Sequence, residues 1–445
     1  MSRVRPVLFA LALAAPVACV PIPVVDPPKW WNAPDDPEAA KKAANGVRAF
    51  GTDLYAQLRT EPGNLVFSPY SANVALTMTA LGAQGNTRTE MSQVLHIREP
   101  KWHTPRPVPG RTQPDQALYD PDPEIAKEYA ALASSVMKQP EKAKRRQELS
   151  VANSLWMQKG RPWRASFLAT ARDDFRAGLF EVDFARNPEA AAGRINRWVE
   201  KETRDRIQKL IGEGTLTPET RLVLANAVYF KARWESEFKK KDTEPLDFTR
   251  TDGTKVKAPL MFQQGEFHLS EGKGFQVLRM PYDGGACALY VMLPSSHDGL
   301  PGMEGRLTAD TLAAWTGTDA KASKERVNVW LPRFKFTVPV QLTGALERMG
   351  MKEAFSDSAN FKGMTDSADA LKITDVLHKA FVELDEQGTE AAAATAVVMG
   401  LAMSAPQRPE PPVKEFRADR PFLFALVHEP TGAPLFLGRV LDPTK

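Results

Sequence analysis

The run LVLANAVYF at 222–230 constrains this chain more than any other stretch, because it is almost continuously apolar and β-prone. A strand of that kind cannot leave either face in water, so other elements must cover it on both sides. The runs 288–293 and 422–427 have the same character. Helical signals are interleaved with them. Ser68-Pro69 offers a capping hydroxyl followed by proline at the first helical position; Val74, Met78 and Leu81 then share one face before Gly82 stops the helix. Asn187-Pro188 opens a second helix, in which Ile195, Trp198, Val199 and Ile207 recur at helical spacing while Glu200, Lys201, Arg204 and Asp205 face away. Strands and helices alternate without a βαβ rhythm. The expected class is therefore α+β, a largely antiparallel sheet with helices laid over one connected core. The length of 445 residues allows one large domain or two to three ordinary ones.

The extreme N-terminus reads differently. Arg3 and Arg5 precede an apolar run and then small residues, the pattern of an export signal over 1–18, too short for a stable membrane span. Cys19, directly after Pro16-Val17-Ala18, looks like a bacterial lipobox cysteine, although Pro16 departs from the usual branched apolar residue. Lipidation of Cys19 would give an outer-membrane-anchored product; cleavage and release would give a periplasmic or extracellular one. Residues 19–39 are rich in proline and fit a semi-rigid tether, and 98–123 reads as a surface insertion. The formal charge of +4 falls by two without Arg3 and Arg5, too little to make nucleic acid the main partner. Only Cys287 accompanies Cys19, so no intrachain disulfide is expected and stability must come from burial.

Nothing points to catalysis. The six histidines, His96, His103, His268, His297, His378 and His428, form no H-E-x-x-H, and G-x-S-x-G and C-x-x-C are absent. Ser270 to Lys273 fits S-x-x-K but reads as a turn. Neither metal nor cofactor is expected. The segment GTEAAAATAVVM at 388–399 is more informative. Its alanines favour helix in isolation, and an exposed helical or flexible loop is one reading. The other is a future strand. Alternation would put Thr389, Ala391, Ala393, Thr395 and Val397 on one face and Glu390, Ala392, Ala394 and Ala396 on the other. The first set is small and uncharged, and no proline interrupts the ladder.

Four segments in order resemble the serpin family: NLVFSPYSANVALTMTALGAQGNT at 64–87, LVLANAVYFKARWESEF at 222–238, VLHKAFVELDEQGTEAAAATAV at 376–397 and FRADRPFLFAL at 416–426. The resemblance implies a single serpin domain over 40–445, with a large main sheet, two further sheets and a hinge and reactive-centre loop at 386–415. It implies a monomeric inhibitor of serine, or alternatively cysteine, proteases that is cleaved as a suicide substrate and traps the acyl-enzyme by inserting the loop. A non-inhibitory serpin-fold binding or structural protein is the alternative. The hinge would comprise Glu386, Gly388, Thr389, Glu390, Ala391, Ala392, Ala393, Ala394 and Thr395. Ser68, Ser71, Asn226 and His378 would meet beneath the centre of the sheet, and Trp234, Arg333 and Glu386 at its top. Family spacing from Glu386 puts the attacked bond at Ala402-Met403, with Leu401 and Ser404 marking alternatives. None of these is basic, which disfavours trypsin-like targets and suits elastase-, subtilisin- or chymotrypsin-like ones. The basic run Lys142, Lys144, Arg145 and Arg146 lies where polyanion-activated serpins bind their cofactor, but it reads more simply as solvated surface.

Overall fold

The computed structural model describes residues 35–99, 121–138, 143, 148–317, 323–367, 371–389 and 413–445. The N-terminal half runs α1 (Pro37–Leu58), β1 (Leu65–Phe67), α2 (Pro69–Ala80), α3 (Gly85–Leu95), α4 (Pro123–Met137), β2 (Glu148–Gln158), α5 (Ala165–Asp173), β3 (Gly178–Val182), α6 (Pro188–Glu202) and β4 (Leu222–Arg233). There follow β5 (Thr243–Thr249), β6 (Lys255–Gly272), β7 (Phe275–Pro281), β8 (Cys287–Pro294), α7 (Leu300–Glu304), α8 (Ala309–Thr316), β9 (Glu325–Pro332) and β10 (Phe334–Gln341). The chain closes with α9 (Thr343–Met349), β11 (Asp375–Asp385), β12 (Gly388–Thr389), β13 (Lys414–Arg417), β14 (Phe422–His428) and β15 (Ala433–Val440).

Two sheets organise the molecule. The main one has the order β10-β11-β12-β4-β2-β3, mixed rather than purely antiparallel, since β11 pairs with β4 and β2 with β3 in parallel. In the other, β6 is long enough to pair with β7 along one part and β9 along another. The two smaller sheets expected from the sequence are therefore joined through one strand.

Strand β4 is buried on both faces, as its composition requires. Leu224, Val228 and Phe230 enter the main core with α2, while Val223, Ala225, Ala227 and Tyr229 meet Ile195 and Val199 of α6 in a second core. The alternation that decides which residue goes where is simply the strand's period of two.

Several local expectations need correction. Helix α2 is buried along its whole length, not on one face, because the sheets surround it. Ile207 lies beyond α6, which ends at Glu202, yet its side chain still joins the second core. The tether stops short of Ala39: α1 begins at Pro37, where the Asp36 side chain accepts from the Ala39 N–H at 3.0 Å. Likewise Asp122 caps α4 and Pro123 starts it, so the end of the 98–123 stretch is helix. Ser270 to Gly272 are strand, with Lys273-Gly274 turning into β7.

One buried ion pair ties the chain ends together. Arg439 donates to Glu304 Oε1 at 2.9 Å, to Gly63 O at 3.1 Å and to Arg59 O at 2.7 Å, and Tyr55 donates to the same carboxylate oxygen at 2.6 Å. Both charged side chains are less than a tenth exposed. Removing one partner strands the other. Glu304→Gln should therefore lower unfolding stability by about 3–5 kcal/mol, read as a shift of the urea midpoint at unchanged slope, and a much smaller loss would show that the pair is dispensable.

Candidate functional site

The parallel ladder between β11 and β4 runs from Asp375↔Val223 to Ala380↔Val228 and stops there. Beyond it the two strands diverge, and Gly388-Thr389 occupies the gap. Thr389 pairs with Leu384 on one side and Ala232 on the other; Gly388 pairs with Asp385 and Arg233. The chain has thus turned back after β11 and laid the first two residues of a new strand into the head of the main sheet.

The turn is built from named contacts. Asp385 Oδ1 accepts from the Gln387 N–H at 2.8 Å and the Gly388 N–H at 3.2 Å. Burial raises the Asp385 carboxyl above its ordinary range, and these two amides oppose that rise. Trp234 donates its indole N–H to Asp385 O at 3.0 Å and its backbone N–H to Gln387 O at 2.9 Å, while Phe238 N–H reaches Glu386 O at 2.8 Å. The Trp234 ring stacks on Tyr282 at 4.5 Å, and the Tyr282 hydroxyl meets Thr389 Oγ1 at 2.7 Å. Glu386 is buried; it accepts from Thr243 Oγ1 at 2.8 Å and lies 3.6 Å from the half-exposed Arg333 guanidinium. Trp234, Arg333 and Glu386 are therefore brought together.

Gly388 has no substitute here. Its φ of 145° is outside the range of ordinary residues, and a Cβ would sit 2.1 Å from Ala232 O and 2.7 Å from Arg233 Cα, both backbone atoms of β4. Beneath the seated residues the space bounded by Phe230, Tyr282, Phe334, Val382, Leu384 and Thr389 is only about 10 Å³, room for about one water. The slot is packed, not open.

Lower down, His378 and Asn226 face each other as register partners across β11 and β4. Ser68, which caps α2, donates its backbone N–H to His378 Nε2 at 3.0 Å, and His378 Nδ1 lies 2.5 Å from Asn226 Oδ1. The accepting Nε2 puts the imidazole proton on Nδ1, so the ring is neutral and donates to Asn226. Asn226 Nδ2 donates to Ser71 Oγ and to Asn153 Oδ1, and Ser71 Oγ donates to Asn153 Oδ1 at 3.1 Å. Every member has a partner, as a buried polar network requires. Burial lowers the His378 pKa from 6.5 to about 3, and that of His428 to about 4.

Ser68, Ser71, Asn226 and His378 are thus gathered at one point. Asn153 and Tyr282 were not anticipated. Asn153 had a signal, an asparagine inside an apolar strand, like Asn226; Tyr282 had none, because only the fold sets it under Thr389. Glu386, Gln387 and Thr389 are buried: the Phe238 and Trp234 N–H groups bond the Glu386 and Gln387 carbonyls, and Thr389 pairs with Leu384 and Ala232. At the far end Lys414 and Glu415 belong to β13, paired in parallel with β9, not to the loop. Glu390, Ala391, Ala392, Ala393, Ala394, Thr395, Leu401, Ala402, Met403, Ser404, Cys19 and the basic run Lys142, Lys144, Arg145 and Arg146 lie outside the described residues.

Residues 45–443 match the family model described as Serpin (serine protease inhibitor). The chain is 37% identical over 403 residues to an uncharacterized serpin-like protein of Thermococcus kodakarensis, covering 91% of this chain and 86% of that one. It is 35% identical to the leukocyte elastase inhibitor of Sus scrofa, with coverage of 88% and 97%. Among solved structures it is similar to Serpin48 of the insect Tenebrio molitor, with a TM-score of 0.75 at 27% identity, covering 90% and 98% of the two chains.

Two outcomes follow from the geometry. Gly388→Ala should unseat the hinge, exposing the bonds at 386–389 to limited proteolysis and changing Trp234 fluorescence; unaltered protection would mean that β4 yields. For pH, the unfolded chain takes up protons on His378 and His428 as pH falls through 6.5, whereas the folded chain does not until about 4 or below. Stability should be level above 6.5 and fall between pH 6.5 and 5 with a limiting slope of about 1.4 kcal/mol per pH unit for each histidine. His378→Asn should remove one such contribution in denaturant titrations, and an unchanged slope would contradict the neutral tautomer.

Proposed function

The chain belongs to the serpin family, and on that premise we propose that it inhibits serine proteases of elastase-, subtilisin- or chymotrypsin-like specificity, with cysteine proteases as a secondary target class. The observation that carries this reading is the two-residue strand Gly388-Thr389, already hydrogen-bonded between β11 and β4. Further residues that follow in register would need only to part the six β11–β4 pairs below. Thr389 faces inward onto Tyr282, so Ala391, Ala393, Thr395 and Val397 would follow it inward, small enough for a packed interior, while Glu390 turns to the other face.

In this reading the protease attacks the carbonyl of Ala402, or of Met403 or Leu401, and its nucleophile is acylated there. The bond to the following residue breaks, the leaving amine takes up the proton and stays tethered to the body through β13, and the hinge side, still esterified to the enzyme, completes the strand before water releases it. Loop insertion in serpins is a recognised form of strand addition and order–disorder switching. The uncleaved state is then held kinetically rather than being the most stable arrangement. Export, with Cys19 as a lipid-bearing N-terminus, completes the proposal; incorporation of labelled fatty acid that is lost in Cys19→Ala would support it.

Incubation with elastase, subtilisin, chymotrypsin and a papain-like enzyme should yield a complex that survives boiling in detergent, with cleavage between residues 400 and 404 by mass spectrometry. Cleavage without a complex would instead indicate a non-inhibitory binding protein. Thr389→Arg should lower complex yield on the order of tenfold or more, because position 389 is the seated first rung against Tyr282 and an arginine there must either bury an unpaired charge or unseat the strand that has to be completed. Thr389→Ser should retain it. Full inhibition by the arginine variant would refute the insertion mechanism.

A further inference from the structure

Strands β6, β9 and β13 present two very different faces. Pairing sets Phe262 opposite Trp330 and Trp330 opposite Arg417, with Gln264 opposite Asn328 one rung away, so these five share a face. Their neighbours Met261, Val327, Val329, Leu331 and Phe416 are buried on the other side. The first face is reached by solvent at every one of its positions, the two aromatics included, each of which is only half-buried.

Its composition is unusual for a surface that meets only water. The Phe262 and Trp330 rings lie 4.9 Å apart, and the Arg417 guanidinium stands 5.1 Å from the centre of the Trp330 ring. Aromatics and arginine are the residue types that carry most of the energy of protein interfaces. The next rung is polar and bonded within itself: Gln264 donates to Asn328 Oδ1 at 2.8 Å and accepts from Arg326 at 3.0 Å. Exposed Glu266 and Glu415 balance Arg326 and Arg417, so the face carries little net charge. An aromatic centre with a hydrogen-bonding rim is the anatomy of a protein contact.

The place of this face in the chain identifies its occupant. Strand β13 receives the chain after the bond that the protease attacks, and Lys414 at its start is fixed to Glu271 and Glu325 by ion pairs of 2.9 and 2.7 Å. Only nine residues, 404–412, separate Met403 from Val413. Met403 can therefore stand at most about 36 Å from the start of β13. An enzyme of about 230 residues is roughly 45 Å across. With the spacer fully drawn out its near surface comes within about 15 Å of β13, and any slack brings it onto the face.

We propose that the face formed by Phe262, Trp330 and Arg417 is a second contact for the protease held at the loop, receiving an apolar or aromatic side chain from the enzyme surface beside its cleft. This rests on the reading of the chain as a protease inhibitor, and it makes target choice depend on more than residues 401–404. Because the charges on the face balance, the contact does not steer encounter. It slows dissociation of the noncovalent complex and so gives attack on the loop more time.

The test uses the full chain with elastase, chymotrypsin and subtilisin whose nucleophilic serine is replaced by alanine, so that binding is read without acylation. Hydroxyl-radical footprinting by mass spectrometry should show the Phe262 and Trp330 side chains protected in such a complex. Trp330→Ala should raise the dissociation rate about tenfold or more with little change in the association rate. With active enzyme the same variant should be slower to form the covalent complex while the cleavage position stays the same. Should Trp330→Ala not fold, the footprint of the parent still decides. A parent that forms the covalent complex while Phe262 and Trp330 react equally free and bound would overturn the second contact and leave the inhibitor reading standing. Protection of the face without any covalent complex with active enzyme would uphold the contact and defeat the insertion mechanism. Binding to none of the three enzymes would overturn both. Protection that grows with inhibitor concentration in the absence of enzyme would assign the face to a second copy of this chain and overturn the proposal.

Discussion

The hydrogen bond between His378 and Asn226 is the contact on which the rest of this structure turns. It crosses the line between β11 and β4, where the main sheet holds its parallel ladder. It is also the junction at which that sheet is tied to α2, through the Ser68 amide on the far side of the same imidazole. Because the ring is neutral and both nitrogens are used, the network satisfies its buried polar groups without placing a charge in the core. A charged pair would have locked the two strands more rigidly; neutral donors and acceptors can exchange partners at lower cost when strands move.

The head of the sheet has the complementary property. There β11 and β4 have already separated, and the chain's own Gly388-Thr389 completes the exposed ladder groups. The Asp385 turn, the Trp234–Tyr282 stack and the absence of a Cβ at Gly388 hold those two residues in place. The sheet is therefore partly opened at one end and closed by a neutral polar clasp lower down. That asymmetry gives a direction to any further insertion, from the hinge toward His378.

Much of this was legible in the residues. The double burial of β4 followed from an apolar run too continuous for a one-faced strand, and the caps at Ser68 and Asn187 followed from hydroxyl or amide before proline. Asn153 could have been suspected from its setting in an apolar strand. Tyr282 could not, since nothing local distinguishes it from any other strand-end tyrosine. Ile207 illustrates the opposite failure: helical spacing persisted in the sequence past the point where Thr203 ended the helix, because burial in a common core does not require a common element.

The sequence by itself determined periodicities and local chemistry: which strands must be buried twice, where helices begin, and which residues of the hinge are small enough to enter a sheet. Those properties depend on neighbours along the chain. Only the tertiary structure decided that Thr389 is already seated and that Asn153 completes the His378 network. Each of these depends on groups tens to hundreds of residues apart, whose distance is set by how two sheets and a buried helix pack, and no spacing within the chain encodes that directly.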